Sequence, residues 1–357
     1  MRDWASAAIE TLEATRAEEG ATPLRRFPLA GDDSVELFVE DESSRPTGSL
    51  KHGLARGLLV DALRRGLITE GTPLIEAGSG NLAVAEAYFA RLLGLPFTAV
   101  VPHRTGRAKP ARIEEHGGRW HAVDPPLAVY ERARRLAADT GGHYLDHLGS
   151  LGGAVDRDGT STLAAEILHD LDRTGRPAPA WIVTGVGTGA TSCTIGCHLR
   201  RTGLPTRVAV VDPENSAYFP GWATDCPDYA TGMPSRIEGI GRPRVEPPFD
   251  GSVVDLVIPV PDATSVAAMR HLRAVTGQSA GPSSGTCLYG ACHLVAGMRE
   301  RGERGVGVMV LGDNGLPYAD TYYDDKWVAA KGWDLAKPSA TLERFTNTGQ
   351  WGDPPST

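Results

Sequence analysis

Short apolar runs alternate with helical patterns along most of this chain, and that alternation constrains the fold more than any other feature of the sequence. The runs that read as strands are PLIEA (73–77), FTAVVP (97–102), RWHAVD (119–124), AWIVTGV (180–186), RVAVVDP (207–213), VVDLVIPV (253–260) and VGVMVLGD (306–313). Between them lie the helical patterns NLAVAEAYFARLLG, PLAVYERARRLAADTGG, STLAAEILHDLDRTG and ATSVAAMRHLRAVTG, after an amphipathic N-terminal helix. Strand then helix, repeated, predicts an α/β fold of parallel sheets covered on both faces, and the nearly continuous β-branched strands agree. A chain of 357 residues fits about two such domains. MPSRIEGIGRPRVEPPFDGS (233–252) is a long Pro/Gly-rich loop, a kind usually tied to function or disorder, and KPSATLERFTNTGQWGDPPST reads as a loosely held tail.

Charge narrows the partners. Lys plus Arg number 36 against 44 Asp plus Glu, which offers no footprint for nucleic acid or an anionic membrane surface. A small molecule is the expected partner. No apolar run approaches the ~20 residues that span a bilayer, and the N-terminal stretch carries acids where a signal peptide is basic and then apolar, so the protein is expected in the cytoplasm. Five cysteines without framework spacing fit reduced thiols. Cys193, Cys197 and His198 are the one tight cluster. Cys193 and Cys197 share a helix face, but without a second such cluster they read as buried small residues, and no metal is expected.

Three loops sit where a strand meets a helix, the place where open α/β sheets bind ligands. In EAGSGNLAVAEAYF, Ser79 and Asn81 flank Gly80 at a helix start, so free amides and two polar side chains form a carboxylate cradle; the plain alternative is an N-cap. In VTGVGTGATSCTIG, Gly185, Gly187 and Gly189 alternate with Thr188, and Thr191 follows at the helix entrance, which is the composition of a phosphate cup. It lacks the Gly-Lys-Ser/Thr end of a P-loop. It does satisfy Gly-x-Gly-x-x-Ala from Gly185 to Ala190, with Asp212 placed as a ribose-binding acid, so an NAD-dependent dehydrogenase stands as a competing reading. In SAGPSSGTCLYGA, Ser283 and Ser284 precede another helix. One further residue stands out: Lys51, straight after Gly-Ser-Leu at the mouth of a helix, where the helix dipole disfavours a cation.

Gly-Ser-Leu-Lys, Ser-Gly-Asn, Gly-x-Gly-Thr-Gly and Gly-x-Ser-Ser-Gly, in that order, resemble the fold type II pyridoxal-phosphate enzymes of the cysteine synthase and cystathionine β-synthase group. The resemblance runs from about Pro46 to Tyr323. SLKHGLAR, AEAYFARLLGLPF, RIEGIGRPRVEP and YADTYYDDKWV are most similar to the bacterial L-cysteine desulfhydrase branch. It implies a tryptophan synthase β-like fold of two domains with the cofactor in the cleft between them: residues 45–155, residues 1–44 plus 156–335, and a tail over 336–357. It also implies a homodimer.

The resemblance assigns roles. Lys51 would hold pyridoxal 5'-phosphate as a Schiff base, aided by a helix end that favours its neutral amine. Gly185, Gly187, Thr188, Gly189 and Thr191 would hold the phosphate, Asn81 the phenolic oxygen, and Ser283, rather than Ser284, the pyridine nitrogen. Gly78, Ser79, Gly80, Asn81, His147 and Gly239 would meet the amino acid. Two departures bear on the substrate. The family's Thr-Ser-Gly-Asn-Thr is here Gly78-Ser79-Gly80-Asn81-Leu82, and the family's glutamine is His147, whose alternative reading is a structural histidine. The implied reaction is β-elimination from L-cysteine through an aminoacrylate to sulfide, pyruvate and ammonia. β-Replacement on O-acetylserine or a related substrate stands close behind, because the intermediate is shared.

Overall fold

The computed structural model describes residues 3–149 and 163–352. Its described strands are β1 (Leu24–Phe27), β2 (Val35–Asp41), β3 (Leu74–Ala77), β4 (Phe97–Pro102), β5 (Arg119–Val123), β6 (His143–Tyr144), β7 (Trp181–Gly185), β8 (Arg207–Pro213), β9 (Leu256–Val260) and β10 (Gly305–Leu311). They form one sheet in the order β5-β4-β3-β6 and another in the order β1-β2-β10-β7-β8-β9. All pairings are parallel except β1 with β2.

The larger sheet shows why its strands read as unbroken apolar runs. Successive side chains of a strand point to opposite faces. Val183, Val211, Met309 and Leu311 enter one core, shared with Leu288, Ala291 and Val295 of the helix Pro282–Glu300. Their neighbours Ile182, Val210, Val308 and Val310 enter a second core with Ile167, Ile195 and Leu199. With both faces covered, every position is worth burying, at roughly 1.5–3 kcal/mol per large aliphatic side chain. The smaller sheet repeats the pattern: Leu74, Ala99 and Val101 face one cluster, Ile75, Ala77 and Val100 the other.

The chain divides into two compact units, Met1–Ala21 with Arg45–Val155, and Thr22–Ser44 with Asp156–Thr357. Two expectations need correction. Residues 1–21 do not group with the larger unit: Ala8 and Leu12 of the helix Trp4–Glu19 share the core of Ala55, Leu59 and Phe89 in the smaller one. The expected tail is a helix, Ala336–Thr348, whose Leu342 and Phe345 lie fully inside the larger core, with Trp351 edge-on to Phe345 at 5.1 Å. The expected boundary at 155 and the last residues, 353–357, lie outside the described residues.

Candidate active site

In the smaller unit, Lys51 opens the helix Lys51–Arg64, and its backbone N–H reaches Ser49 Oγ at 3.3 Å. The next residue pins that helix start. His52 is fully buried between Thr47 Oγ1 at 3.1 Å and Glu19 Oε1 at 2.9 Å, and Arg56 also pairs with Glu19. Burial, opposed by Glu19, holds the imidazole of His52 below its ordinary pKa. For Glu19, burial works upward, but the hydrogen bonds from His52 and Arg56 outweigh it and keep the carboxyl low. The result is a Glu19–Arg56 ion pair beside a neutral imidazole, anchoring the turn that presents Lys51.

Strand β3 delivers the second element. It ends in Glu76 and Ala77, and the chain turns through Gly78, Ser79 and Gly80 into the helix Asn81–Leu92. Gly78 has φ +141°, a conformation that a β-branched residue rarely adopts, so glycine in place of threonine matches the local backbone. Ser79 makes no side-chain hydrogen bond among the described residues. Asn81 Oδ1 accepts from Arg112 Nη1 at 2.8 Å, which fixes the orientation of its amide. His147 is not idle within this unit. Its Nδ1 lies 3.0 Å from Oε1 of the buried Glu76.

The larger unit holds the glycine-rich loop between β7 and the helix Ala190–Thr202. A Cβ at Gly187 would stand 2.6 Å from the carbonyl oxygen of Gly239, and one at Gly185 would stand 2.6 Å from Ile240 Cγ2. Gly189 combines φ +91° with a Cβ position 2.5 Å from Phe249 Cα. The loop is thus backed directly by the Pro/Gly-rich segment 233–252. Tyr218 Oη donates to the Gly187 carbonyl at 2.6 Å, and Arg242 Nε reaches the same oxygen at 3.3 Å. Thr188 is buried with its Oγ1 3.4 Å from Ala190 N, whereas the Thr191 hydroxyl makes no hydrogen bond among the described residues.

Gly239 also approaches Ser283: its Cβ position lies 3.7 Å from Ser283 Oγ. The two adjacent serines differ. Ser284 is fully buried and accepts from Gly312 N at 3.0 Å, while Ser283 is partly exposed and makes no hydrogen bond among the described residues. Thus Gly187, Gly239 and Ser283 come together in one unit, and Lys51, Ser79, Asn81 and His147 belong to the other.

A family model described as "Pyridoxal-phosphate dependent enzyme" matches residues 15–312. The chain belongs to the pyridoxal-phosphate-dependent enzyme family. It is 48% identical over 354 residues to L-cysteine desulfhydrase Cds1 of Mycobacterium tuberculosis, covering 98% of this chain and 96% of that protein. It is 32% identical to N-(2-amino-2-carboxyethyl)-L-glutamate synthase of Ralstonia nicotianae, covering 87% of this chain and 89% of that one. Among solved structures, O-ureido-L-serine synthase matches with TM-score 0.75 at 26% identity, over 90% of this chain and 98% of the other. The fold is that of the fold type II enzymes, as the four motifs implied.

A pyridoxal-phosphate enzyme needs an anion cradle, and the loop 185–191 fits one on its own geometry. Its glycines stand where side chains cannot, the first turn of its helix has amides without intrahelical partners, and Thr191 offers a hydroxyl. Family membership overturns the dehydrogenase reading, and Asp212 shows why its acid signal misled. It is 1% exposed and accepts from Phe219 N at 2.8 Å, and burial pushes its carboxyl up to about 6. It anchors a turn instead of waiting for a ribose.

Sequence reasoning missed Arg112, Tyr218, Arg242 and Glu76. Arg242 carried the only legible signal, following Gly-Ile-Gly in the long loop. Cys193 and Cys197 do face each other, with Sγ atoms 3.9 Å apart, and all five thiols are free. Among the described residues no helix is long and apolar enough to cross a membrane.

Proposed function

We propose that this enzyme catalyses β-elimination from L-cysteine, consuming water and giving sulfide, pyruvate and ammonia. The observation that carries the reading is the 48% identity, over nearly the full length of both chains, to an L-cysteine desulfhydrase. Pyridoxal phosphate, when bound, supplies the conjugated ring that accepts the electron pair left at Cα.

The chain's own residues supply the rest. Lys51 carries the cofactor through its amine, and its Nζ takes the Cα proton. Gly185, Gly187, Thr188, Gly189 and Thr191 hold the phosphate through backbone amides and hydroxyls. Ser283, whose hydroxyl is uncommitted among the described residues, would meet the pyridine nitrogen, and Asn81 would hold the phenolic oxygen. A neutral hydroxyl beside that nitrogen leaves it largely unprotonated, which suits rapid expulsion of the β group. Ser79, Gly80 and Asn81, at the start of a helix, bind the substrate carboxylate with His147, and Gly78 and Gly239 are assigned to the amino acid by the same resemblance. The same resemblance carries a homodimer in the cytoplasm, the first of which gel filtration with light scattering tests.

β-Replacement remains as a second reading because a relative at 32% identity is named as a synthase. The test is product analysis from L-cysteine, and from O-acetyl-L-serine with and without sulfide. Pyruvate and sulfide from L-cysteine support elimination. Pyruvate release from O-acetyl-L-serine that sulfide suppresses, with cysteine accumulating, supports replacement.

A further inference from the structure

Three ionisable groups cluster behind the Ser79–Asn81 turn. Glu76, at the end of β3, is 1% exposed; it accepts from Ala77 N at 2.6 Å and from the backbone N–H of His147 at 3.4 Å, and faces His147 Nδ1 at 3.0 Å. Among the described residues no lysine or arginine pairs with it, so His147 is its one basic neighbour within ion-pair distance. Glu86, on the helix Asn81–Leu92, is fully buried, and neither of its carboxyl oxygens has a hydrogen-bond partner among the described residues. Burial, and then the charge of Glu76, push the Glu86 carboxyl well above its usual range. Glu86 therefore favours its neutral, protonated form. The charge of Glu76 also reaches His143 and Tyr144 of β6, and Asp146 acts on Tyr144.

We propose that Glu76 is a positioning residue for the amino-acid substrate: it accepts from His147 Nδ1–H, fixes the plane of the ring, and turns its Nε2 edge to the substrate carboxylate. The inference rests on the assignment of His147 to the substrate carboxylate in the proposed function. With Nδ1 committed to Glu76, Nε2 is the ring atom left for the substrate, and it donates when the ring is protonated. A carboxylate behind a histidine is the usual device for setting which nitrogen holds the proton. Side-chain exposure is consistent: His147 keeps 13% of its surface, Glu76 1%. The glutamine of the family needs no such partner, since its amide donates at any pH.

The test uses the holoenzyme. Glu76→Gln and His147→Ala should each raise KM for L-cysteine roughly 10- to 100-fold while kcat changes by less than about threefold. The double variant should be no worse than the more severe single one, because both remove one linked contact. Cofactor absorption and melting temperature, read on the same samples, report folding. Should Glu76→Gln fail to fold, nitrogen NMR of histidine-labelled wild type decides instead, with the His147 signals assigned by their loss in His147→Ala. Hydrogen on Nδ1, hydrogen-bonded to Glu76, is expected. A His147 ring without hydrogen on Nδ1, or single variants whose KM effects multiply, overturns the proposal. Failure of the desulfhydrase reading would look different: no turnover of L-cysteine by wild type, with the NMR result unaffected.

Discussion

The carbonyl oxygen of Gly239 lies 2.6 Å from where a Cβ on Gly187 would stand, so the proposed phosphate loop and the long Pro/Gly-rich segment are in direct backbone contact. Even alanine at 187 must push one of them away. Gly187→Ala should lower pyridoxal-phosphate affinity at least tenfold, and Gly187→Asp, which adds a carboxylate beside a dianion, should abolish retention. Equilibrium dialysis measures both. Wild-type affinity in Gly187→Asp would place the phosphate elsewhere.

The adjacent serines should separate two functions. Ser284→Ala removes the acceptor of a buried Gly312 N–H and should cost about 1–3 kcal/mol of stability with the cofactor spectrum unchanged. Ser283→Ala should leave stability within about 0.5 kcal/mol and shift the cofactor's absorption and turnover instead. Denaturant titration and absorption spectra of both variants check the split. An exchanged pattern would reverse the assignment.

Legibility followed burial. β7, β8, β9 and β10 were readable because both faces are covered, which writes a continuous apolar run into the sequence. β1 and β2 were not. Arg25, Arg26, Glu36 and Glu40 interrupt them, and one of these side chains, Glu40, points inward. The helix Ala336–Thr348 escaped because Leu342 and Phe345 are its only large apolar side chains, too few to set a period, although both are fully buried. At the candidate site, Lys51 and the glycine-rich loop stood out by local composition. Glu76 and Glu86 did not, because a carboxylate on a strand or helix looks the same in sequence whether solvated or buried. Arg112 and Tyr218 act through contacts far away in sequence.

Glu40 predicts an unusual pH dependence of stability. It is fully buried, its Oε1 takes the Thr22 hydroxyl, and its Oε2 has no partner among the described residues. Burial, with added repulsion from Glu42, Glu166 and Asp170 and opposition from Thr22, raises its carboxyl from 4.5 to about 8. Between those values the unfolded chain loses the proton while the folded one keeps it. The stabilising contribution is therefore complete below 4.5 and is lost as pH rises through about 8. Glu40→Gln should gain on the order of 3–5 kcal/mol relative to wild type at about pH 9 and little at about pH 5. Urea melts at the two pH values measure the difference. Equal effects at both would refute the buried protonated state.

The C-terminal helix should prove integral to the larger core. Phe345→Ala should cost about 3–5 kcal/mol, since the ring is fully buried against Leu342 and Trp351. Thermal unfolding of the holoenzyme reads the effect. A change under about 0.5 kcal/mol would mean that the helix is dispensable.

Elimination of the β group of L-cysteine through Lys51 is tested most directly by simultaneous quantification of the sulfide and pyruvate released from L-cysteine by wild type and by Lys51→Ala, both supplied with pyridoxal phosphate. Wild type should release the two products in equal amounts, and the variant should lose at least about a thousandfold. Release by Lys51→Ala at the wild-type rate, or no pyruvate from wild type, would contradict it.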